Sequence, residues 1–475
     1  KPDGKDGWAE FIKIPFEDST TTNILGFSKA GDAVYMLDSR GRDTGALTAL
    51  DLKTGKETVL AEDPKADAGG VLMHPTEHTM QAVSFTYDRT RWDFKDPAVA
   101  ADFEELKKLT KDADADLAVV GRTLDDKTWV VAAVHDDGPV RFYLYDRGAK
   151  KARFLFTDRK ALEGLALRKM TPHVIKSRDG FDLVSYLTLP AASEPDSTGK
   201  PTRPAPMVLL VHGGPWGRDG WGLNPYHQWL ANRGYAVLSV NFRGSTGFGK
   251  KFVNAGDKEW AGKMHDDLID AVAWAVKEGI ADKDKVAIMG GSYGGYATLV
   301  GLTYTPDEFA CGVDICGPSN LVTLLNTIPP YWAPGVQMFK DRVGDYTTED
   351  GKKDLLAKSP LTRVDRIKRP LLVGQGANDP RVKQAEADQI IKAMQEKKLP
   401  ATYVLFSDEG HGFHRPENNL AFNAVAEAFL AQYLGGRFEA IGDDFAGSTI
   451  TAPAGAETVP GLTAKLAAKE KQGKP

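Results

Sequence analysis

Short apolar strands alternate with longer amphipathic helices between residues 207 and 433, and this alternation constrains the fold more than any other feature of the 475-residue chain. Apolar strands covered by helices on both faces are typical of mainly parallel sheets. The predicted strands are 207–211, 236–240, 286–289, 312–315, 371–375 and 402–406. The predicted helices are 225–232, 257–278, 296–303, 384–396 and 418–433. The pattern predicts an α/β fold with a mostly parallel sheet and helices on both faces.

One strand–helix junction carries a nucleophile motif. Strand 286–289 runs directly into Gly290-Gly291-Ser292-Tyr293-Gly294, which matches the G-x-S-x-G elbow. Glycines are required because a turn this tight leaves no room for Cβ atoms beside the serine. Ser292 is therefore the predicted nucleophile, and the alternative is a glycine-rich loop with an incidental serine.

The other members of a catalytic triad follow later strands in the expected order. A serine needs a base within hydrogen-bond reach, and the base needs a third group to orient it. In an α/β-hydrolase the chain order is Ser, then Asp or Glu, then His. Asp379 follows strand 371–375, and His411 follows strand 402–406. The order predicts a triad of Ser292, Asp379 and His411.

Neighbouring residues offer alternatives to two of these assignments. Asp379 stands before a proline and could be only a turn residue, and His414 could replace His411 as the base. Glycines on both sides favour His411, because they suit an exposed and closely approached side chain. Asp408 and Glu409 are predicted to be solvated loop charges.

An acyl-transfer enzyme also needs hydrogen-bond donors for the developing oxyanion. The segment His212-Gly213-Gly214 leaves the strand that ends at Val211 and corresponds to the HGGG-type oxyanion loop. The predicted donors are the backbone N–H groups of Gly214 and Tyr293. His212 is predicted to be structural rather than a second base.

Composition excludes several classes of function. The net charge is −5 and the basic residues are scattered, which argues against a nucleic-acid surface. No apolar run approaches the ~20 residues of a membrane span. No His or Cys cluster has metal-ligand spacing, and Arg243 and Lys250 lack the frame of a phosphate loop, so no metal or cofactor is expected. The two cysteines, Cys311 and Cys316, are predicted to be buried free thiols.

Compartment and oligomeric state stay open at this point. The chain begins with Lys1 rather than Met, and its first residues lack an apolar signal segment. A soluble protein is expected, either cytoplasmic or periplasmic or secreted with its signal already removed. A homo-oligomer is compatible with the sequence.

A weak repeat precedes the α/β region. Segments 28–37, 74–83 and 123–132 each read as a polar turn followed by a strand, and their starts are 46 and 49 residues apart. This spacing suggests four-stranded blades of a β-propeller, with unrelated hairpins as the alternative. Three blades cannot close a ring of about 4–8. We therefore expect missing N-terminal blades, roughly 200 residues of the same gene product, before Lys1.

The domain prediction follows from these patterns. Residues 1–165 are assigned to the C-terminal blades of an incomplete propeller, and residues 166–436 to an α/β-hydrolase domain that begins with a hairpin over 174–190. A Pro-, Ser- and Thr-rich linker is predicted over 191–206. Residues 437–475 are poor in large apolar side chains and are predicted to form an extended or disordered tail.

Taken together, the motifs resemble one enzyme family. The chain is similar to the prolyl oligopeptidase family of serine peptidases over residues 169–436, and only in pattern over 1–158. Tyr293 after the nucleophile resembles the dipeptidyl-peptidase and acylaminoacyl-peptidase branches, and Asn378-Asp-Pro-Arg-Val382 resembles the latter. The motifs that carry the resemblance are Gly291–Tyr296, His212–Trp216, Asn241–Gly247, Gly376–Val382 and Glu409–Phe413.

The resemblance implies a mechanism and a specificity pocket. It implies that Ser292 attacks the scissile carbonyl, that His411 takes its proton, that Asp379 orients the imidazole, and that water hydrolyses the acyl-enzyme. Family members use a propeller to limit entry to short peptides, and form part of the pocket before the cut from a segment that corresponds to 317–339. An apolar pocket is therefore expected, with a hydrophobic core as the alternative; its candidate lining residues are Leu321, Leu324, Tyr331, Trp332 and Phe339.

The leading functional prediction is a serine peptidase that hydrolyses short peptides, either acylaminoacyl-peptidase-like or an oligopeptidase. A dipeptidyl peptidase and a carboxylesterase are the alternatives, since one triad serves all of these reactions. Nothing in the chain matches the acidic motif with which dipeptidyl peptidases hold a substrate amino terminus. An inactive, propeller-based binding protein is the alternative of another class.

Overall fold

The computed structural model describes residues 7–8, 10–110, 114–193, 195 and 201–472, which form two compact units. The first unit comprises Lys1–Ala166 and Ser245–Ala255, and the second comprises Leu167–Gly244 and Gly256–Pro475. The sequence did not indicate that 245–255, inside the α/β region, belongs to the first unit.

The first unit consists of antiparallel sheets that form propeller blades. Strands β1–β4 and β8–β11 each form a sheet in sequential order, whereas β5–β7 form a three-stranded sheet. A helix follows β7, so the middle sheet has three strands where the other two have four. The elements are β1 (Asn23–Phe27), β2 (Ala33–Asp38), β3 (Ala46–Asp51), β4 (Glu57–Ala61), β5 (Ala68–Met73), β6 (Met80–Thr86), β7 (Thr90–Phe94), α1 (Pro97–Thr110), β8 (Asp116–Arg122), β9 (Thr128–Val134), β10 (Arg141–Asp146) and β11 (Lys151–Thr157).

The second unit is built on a nine-stranded sheet with the order β12-β13-β15-β14-β16-β17-β18-β19-β20. The six central strands, β15, β14, β16, β17, β18 and β19, pair in parallel. Strands β12 and β13 at one end and β20 at the other end pair antiparallel with their neighbours. The predicted α/β class is confirmed. The strands are β12 (Met170–Lys176), β13 (Asp182–Thr188), β14 (Ala205–Val211), β15 (Ala236–Val240), β16 (Ala281–Gly291), β17 (Cys311–Ile315), β18 (Leu371–Gly376), β19 (Ala401–Phe406) and β20 (Ile450–Ala454).

Helices cover both faces of this sheet. The predicted helix 257–278 begins only at Lys263, because Lys258 and Ala261 adopt left-handed φ values of 59° and 55° that a helix does not tolerate. The helices are α2 (Pro225–Asn232), α3 (Lys250–Asn254), α4 (Lys263–Lys277), α5 (Tyr293–Tyr304), α6 (Leu321–Asn326), α7 (Val336–Arg342), α8 (Glu349–Ala357), α9 (Gln384–Glu396), α10 (Pro416–Leu434) and α11 (Leu462–Gln472). Helix α3 belongs to the first unit.

The sheet is buried on both faces, as parallel strands require. Adjacent residues Val208 and Leu209 of β14 point to opposite faces, and both side chains are fully buried. On one face, Phe422 and Phe429 of α10 join the main apolar cluster with strand residues such as Val208 and Val404. The covered sheet is a rigid base for the loops at its carboxyl edge.

The prediction of an extended or disordered tail over 437–475 is wrong, because this segment contains a paired strand and a helix. Strand β20 pairs antiparallel with β19, with Thr451 opposite Leu405 and Ile450 opposite Phe406. This pairing satisfies backbone groups that β19 would otherwise expose at a sheet edge. Apolar residues of the segment, such as Phe445 and Leu462, are buried in the main cluster, and α11 follows. Residues 473–475 lie outside the described residues.

Two further observations concern the sequence predictions. Residues 194 and 196–200 of the predicted linker 191–206 lie outside the described residues, and β14 begins at Ala205. Across the part of the chain that the structure describes, every helix is too short or too polar to span a bilayer.

Candidate active site

Ser292 lies at a sharp turn between β16 and α5. Its backbone has φ 59° and ψ −118°, a left-handed conformation that side-chain-bearing residues rarely adopt. A Cβ atom at Gly290 would lie 2.5 Å from the carbonyl oxygen of Val211, and one at Gly294 would lie 2.1 Å from the same atom. Only glycine fits at either position. The elbow is thus packed against the end of β14, and Ser292 lies at the carboxyl edge of the sheet.

Asp379 and His411 are hydrogen-bonded to each other. His411 Nδ1 lies 2.6 Å from Asp379 Oδ2. The other carboxylate oxygen accepts backbone N–H groups from Arg381 at 2.8 Å and Val382 at 2.9 Å. Asp379 is only 2% exposed. A carboxylate fixed in this way holds the imidazole with Nδ1 protonated, which leaves Nε2 as the available base.

The two loops that carry Asp379 and His411 are held together by backbone contacts. Ala377 donates its N–H to Phe406 O at 2.9 Å, and Asn378 donates its N–H to Glu409 O at 2.9 Å. A Cβ atom at Gly376 would lie 2.1 Å from Gly410 O. The parallel pairing of β18 with β19 therefore continues into the loops and brings the acid beside the base.

The alternatives around His411 are resolved by burial and bonding. Glu409 was predicted to be a solvated charge, but it is only 3% exposed. Its carboxylate accepts the backbone N–H groups of His414 and Arg415 at 3.1 and 2.9 Å, together with the Asn418 side-chain amide at 2.8 Å. Glu409 therefore braces the loop that follows His411. His414 is exposed, and the imidazole that contacts Asp379 belongs to His411.

Asp408 is an exposed loop charge, as predicted, and it is also bonded. It forms an ion pair with Arg415 and accepts the Asn418 amide at 2.9 Å. These contacts and the Thr449 hydroxyl lower the pKa of the Asp408 carboxyl to about 2, with the Thr449 hydrogen bond contributing most. Asp408 contacts neither His411 nor Asp379, and it serves to tie the loop to the segment after α10.

The predicted oxyanion loop lies against the elbow. A Cβ atom at Gly213 would lie 3.0 Å from Gly291 O and 3.4 Å from Ser292 Cβ. His212 stacks on Phe242, with ring centroids 4.5 Å apart, and its Nδ1 is hydrogen-bonded to Gly213 O at 2.8 Å. His212 thus packs beneath the loop.

Tyr293 contributes differently through its backbone and its side chain. It is the first residue of α5, so its N–H has no carbonyl partner within that helix. Its ring is buried between Phe242 at 5.2 Å and Trp260 at 4.7 Å, and burial raises the pKa of the phenol well above its usual range. The side chain is an anchor, and the backbone N–H stays the predicted oxyanion donor.

Two cavities meet at Ser292 and share Gly214, Trp332, Phe339 and Arg381. The larger has a volume of about 400 Å³, and the smaller about 50 Å³. The larger is further lined by Trp216, Tyr331, Pro334, Gly335, Met338 and His411. The smaller is further lined by Trp260, Tyr293, Pro318, Leu324, Leu325, Ile328 and Val382.

The structure separates the predicted pocket residues. Leu324 lines the smaller cavity, Tyr331 lines the larger, and Trp332 and Phe339 line both. Leu321 is fully buried at the start of α6 and lines neither cavity, so its assignment to the pocket is wrong.

Sequence reasoning missed Trp216, Trp260 and Arg381 as lining residues. A signal was present for two of them, because Trp216 follows the oxyanion loop and Arg381 follows Asp379 by two residues. Trp260 lies in the turn before α4, and its position depends on tertiary packing against Tyr293.

Cys316 lies beside the acid–base pair. Among the described residues, ligand atoms of Cys316, Asp379 and His411 lie within 4.8 Å of one another, which a metal ion could bridge. Burial, with a further contribution from the Asp379 charge, raises the pKa of the Cys316 thiol to about 12. A protonated thiol is a poor metal ligand, and His411 Nδ1 is already bonded to Asp379. The group is therefore suited to proton transfer rather than to metal binding.

Arg243 has a structural role, in agreement with the rejection of a phosphate site. It is 2% exposed and forms ion pairs with Asp267 and Asp179, each at 2.7 Å. Lys250 pairs with Asp18 inside the first unit at 2.7 Å. Cys311 and Cys316 are free and buried.

The chain is similar to a known protein family. A model described as the prolyl oligopeptidase family matches residues 221–437 of the chain, which include the elbow, Asp379 and His411. The part of the chain that carries Ser292, Asp379 and His411 therefore matches the prolyl oligopeptidase family. The resemblance predicted from the motifs is confirmed.

Two relatives extend the similarity to most of the chain. Dipeptidyl aminopeptidase BIII of Pseudoxanthomonas mexicana is 60% identical over 459 residues, which is 97% of this chain and 66% of that protein. Dipeptidyl peptidase family member 6 of Caenorhabditis elegans is 41% identical over 445 residues, which is 90% of this chain and 60% of that protein. The chain thus spans just under two thirds of the length of these relatives.

A solved structure supports the fold. The structure of a Mycobacterium tuberculosis puromycin-hydrolyzing peptidase superposes with a TM-score of 0.72 at 23% identity, covering 88% of this chain and 63% of that one. The likeness supports the combination of propeller blades with an α/β-hydrolase domain, the predicted fold class.

Proposed function

We propose that the chain carries the catalytic centre of a serine peptidase that cleaves short peptides through an acyl-enzyme. The observation that carries the proposal is the Asp379–His411 hydrogen bond of 2.6 Å, in a cavity that His411 shares with Ser292. The match to the prolyl oligopeptidase family over residues 221–437 supports the same reaction class.

The first half of the reaction forms the acyl-enzyme. Ser292 Oγ attacks the carbonyl carbon of the scissile bond, and its proton passes to His411 Nε2. Asp379 stabilises the imidazolium through Nδ1–H. The carbonyl oxygen becomes an oxyanion, which the N–H groups of Tyr293 and Gly214 stabilise. His411 then gives the proton to the leaving amine as the carbon–nitrogen bond breaks.

The second half of the reaction uses the same groups in reverse. Water enters the position of the departed amine, gives a proton to His411 Nε2 and attacks the acyl carbon. The proton returns to Ser292 Oγ as the acid is released. Each proton transfer needs an imidazole whose orientation is fixed, which the contacts of Asp379 provide.

Among the peptidase subtypes, we propose the removal of dipeptides from a free amino terminus. The names of the 60% and 41% identical relatives favour this reaction over the release of acylated amino acids. The sequence analysis placed the acylaminoacyl reaction first, on the Asn378–Val382 motif. We give greater weight to relatives that cover 97% and 90% of the chain than to a five-residue motif.

A substrate series tests the proposal on the intact protein. Matched chromogenic substrates with a free dipeptide, an N-acetylated amino acid, a blocked internal peptide and a simple ester distinguish the four reactions. We expect kcat/KM to be highest for the free dipeptide and turnover to be lost in Ser292→Ala. A Ser407→Ala variant is the matched control, since this exposed serine follows β19, which lies three strands from β16 in the sheet.

Each outcome of the series decides one alternative. A preference for the acetylated substrate would favour the acylaminoacyl reaction, and turnover of the ester alone would favour a carboxylesterase. Turnover that survives Ser292→Ala would contradict the mechanism. Failure to turn over any substrate or to react with a fluorophosphonate would instead favour a binding protein.

A further inference from the structure

We propose that the larger cavity binds the residue after the scissile bond, and that Trp216 makes it selective for aromatic and large apolar side chains. The inference rests on the proposed function, because it assigns the two cavities at Ser292 to the two halves of a peptide substrate. It adds a specificity-determining residue on the leaving-group side of the site.

The position of His411 assigns the cavities. In the peptidase reaction the imidazole donates its proton to the leaving amine, so the leaving group must lie on the imidazole side of Ser292. His411 lines the larger cavity, whereas the smaller one is lined by Tyr293 and by apolar residues of the α6 region. The larger cavity is therefore on the leaving-group side, and the smaller on the acyl side.

The walls of the larger cavity determine what it accepts. Trp216 and Phe339 pack edge-to-face with ring centroids 5.6 Å apart, and Phe339 stacks on Trp332 at 5.5 Å. The three rings form a continuous aromatic wall, which favours another aromatic ring in an edge or offset contact. The volume of about 400 Å³ has room for a large side chain, unlike the 50 Å³ of the smaller cavity.

Of the three rings in this aromatic wall, Trp216 is the one that lines the larger cavity alone. Trp332 and Phe339 line both, so changing either would alter both halves of the site. Trp216 lines only the larger cavity, directly after the oxyanion loop and Pro215. Leu324 lines only the smaller cavity and gives a matched comparison.

Nucleophile partitioning measures the leaving-group side alone. The intact protein is acylated with one peptide ester, and phenylalanine amide or glycine amide competes with water for the acyl-enzyme. By microscopic reversibility, an amine that enters must occupy the leaving-group site. We expect phenylalanine amide to capture the acyl group about tenfold or more better than glycine amide, as expected when a phenyl ring is removed from water.

Two variants then test which side chain produces the preference for phenylalanine amide. In Trp216→Ala the preference for phenylalanine amide should fall to less than about threefold, because the ring it contacts is gone. Leu324→Ala should keep the amine preference and change the preference among esters with different acyl residues. The readout is the ratio of the rates at which two amines capture one acyl-enzyme. A general loss of activity lowers both rates equally and leaves this ratio unchanged. Fluorophosphonate labelling of Ser292 shows that each variant is folded.

Two results would contradict the inference and leave the proposed function unaffected. One is equal capture of the two amines by the wild-type acyl-enzyme. The other is a Trp216→Ala variant that keeps the full preference for phenylalanine amide. If Trp216→Ala does not react with the fluorophosphonate, Trp216→Leu, which retains apolar bulk, is the second variant. If no acyl-enzyme forms at all from any ester, the proposed function itself fails, and the inference fails with it.

Discussion

His411 Nδ1 lies 2.6 Å from Asp379 Oδ2, and the second oxygen of that carboxylate is already occupied by two backbone N–H groups. The carboxylate therefore cannot rotate away from the imidazole without losing bonds. This arrangement fixes the direction in which Nε2 points before any substrate arrives. Preorganisation of this kind is how a buried acid supports a serine nucleophile.

Asp379→Asn should lower kcat by about three to four orders of magnitude, as loss of the correct imidazole tautomer does in serine proteases. The asparagine can keep the backbone contacts, so the variant should remain folded. Steady-state kinetics on the preferred chromogenic substrate measure the effect. Asp408→Asn, in the neighbouring loop, is the control and should stay within a few-fold of the wild type. Equal losses in both variants would argue against a special role for Asp379.

Gly294→Ala should destabilise the elbow, because the new Cβ would lie 2.1 Å from Val211 O and the strand or the turn must move. Overpacking of this kind typically costs about 1–3 kcal/mol. Chemical denaturation measures the loss in the free energy of unfolding, and the rate of fluorophosphonate labelling should fall with it. Gly220→Ala is the control, since a Cβ there meets nothing within 4 Å. Equal stability of the two variants would contradict the packing account.

Asp314→Asn should raise stability at neutral and mildly alkaline pH. Burial raises the pKa of the Asp314 carboxyl to about 8, and its Oδ2 is buried without a hydrogen-bond partner in the described structure. The unfolded chain ionises near pH 4, so the native state loses stability between about pH 4 and pH 8. Asparagine removes this loss and keeps the acceptor for the Gly317 N–H at 2.8 Å.

The free energy of unfolding of both proteins between pH 4 and pH 9 checks this prediction. The advantage of Asp314→Asn should be smallest near pH 4, grow as the pH rises and level off above about pH 8. Parallel pH curves for the two proteins would show that Asp314 is ionised in the native state, contrary to the account.

Asn241→Ala should lower kcat more than it raises KM, because Asn241 fixes the segment after the oxyanion loop. Its Oδ1 accepts the Asp219 N–H at 2.8 Å, and its Nδ2 donates to Val184 O at 2.9 Å. Removal leaves buried polar groups unpaired, at a cost of about 1–3 kcal/mol. Asn232→Ala, at the exposed end of α2, is the control for kcat. A drop in stability with unchanged kcat would limit Asn241 to a structural role.

The sequence predicted the α/β architecture well because periodicity and turn chemistry are local. Helices 225–232 and 384–396 have the predicted bounds, since Asn224 caps the first and both have one apolar face. The order of Ser292, Asp379 and His411 could likewise be read from motifs at strand ends. Their roles stay predictions until activity is measured.

The failures came from tertiary contacts that a local pattern does not contain. The sequence around Glu409 is typical of a loop charge, yet the side chain is buried and accepts N–H groups of the following turn. The tail is poor in apolar residues, but the open edge of β19 gives β20 a partner. Leu321 has the same chemistry as Leu324, and only the packing of α6 decides which one faces the cavity. Segment 245–255 joins the first unit through contacts distant in sequence.

Covalent labelling of Ser292 tests the central claim most directly. The intact protein is treated with a fluorophosphonate, digested, and mapped by mass spectrometry. The account predicts one adduct on the peptide that contains Ser292, its absence in Ser292→Ala, and much slower labelling in His411→Ala with Ser407→Ala unchanged. An adduct on a different serine, or none in the folded protein, would contradict it.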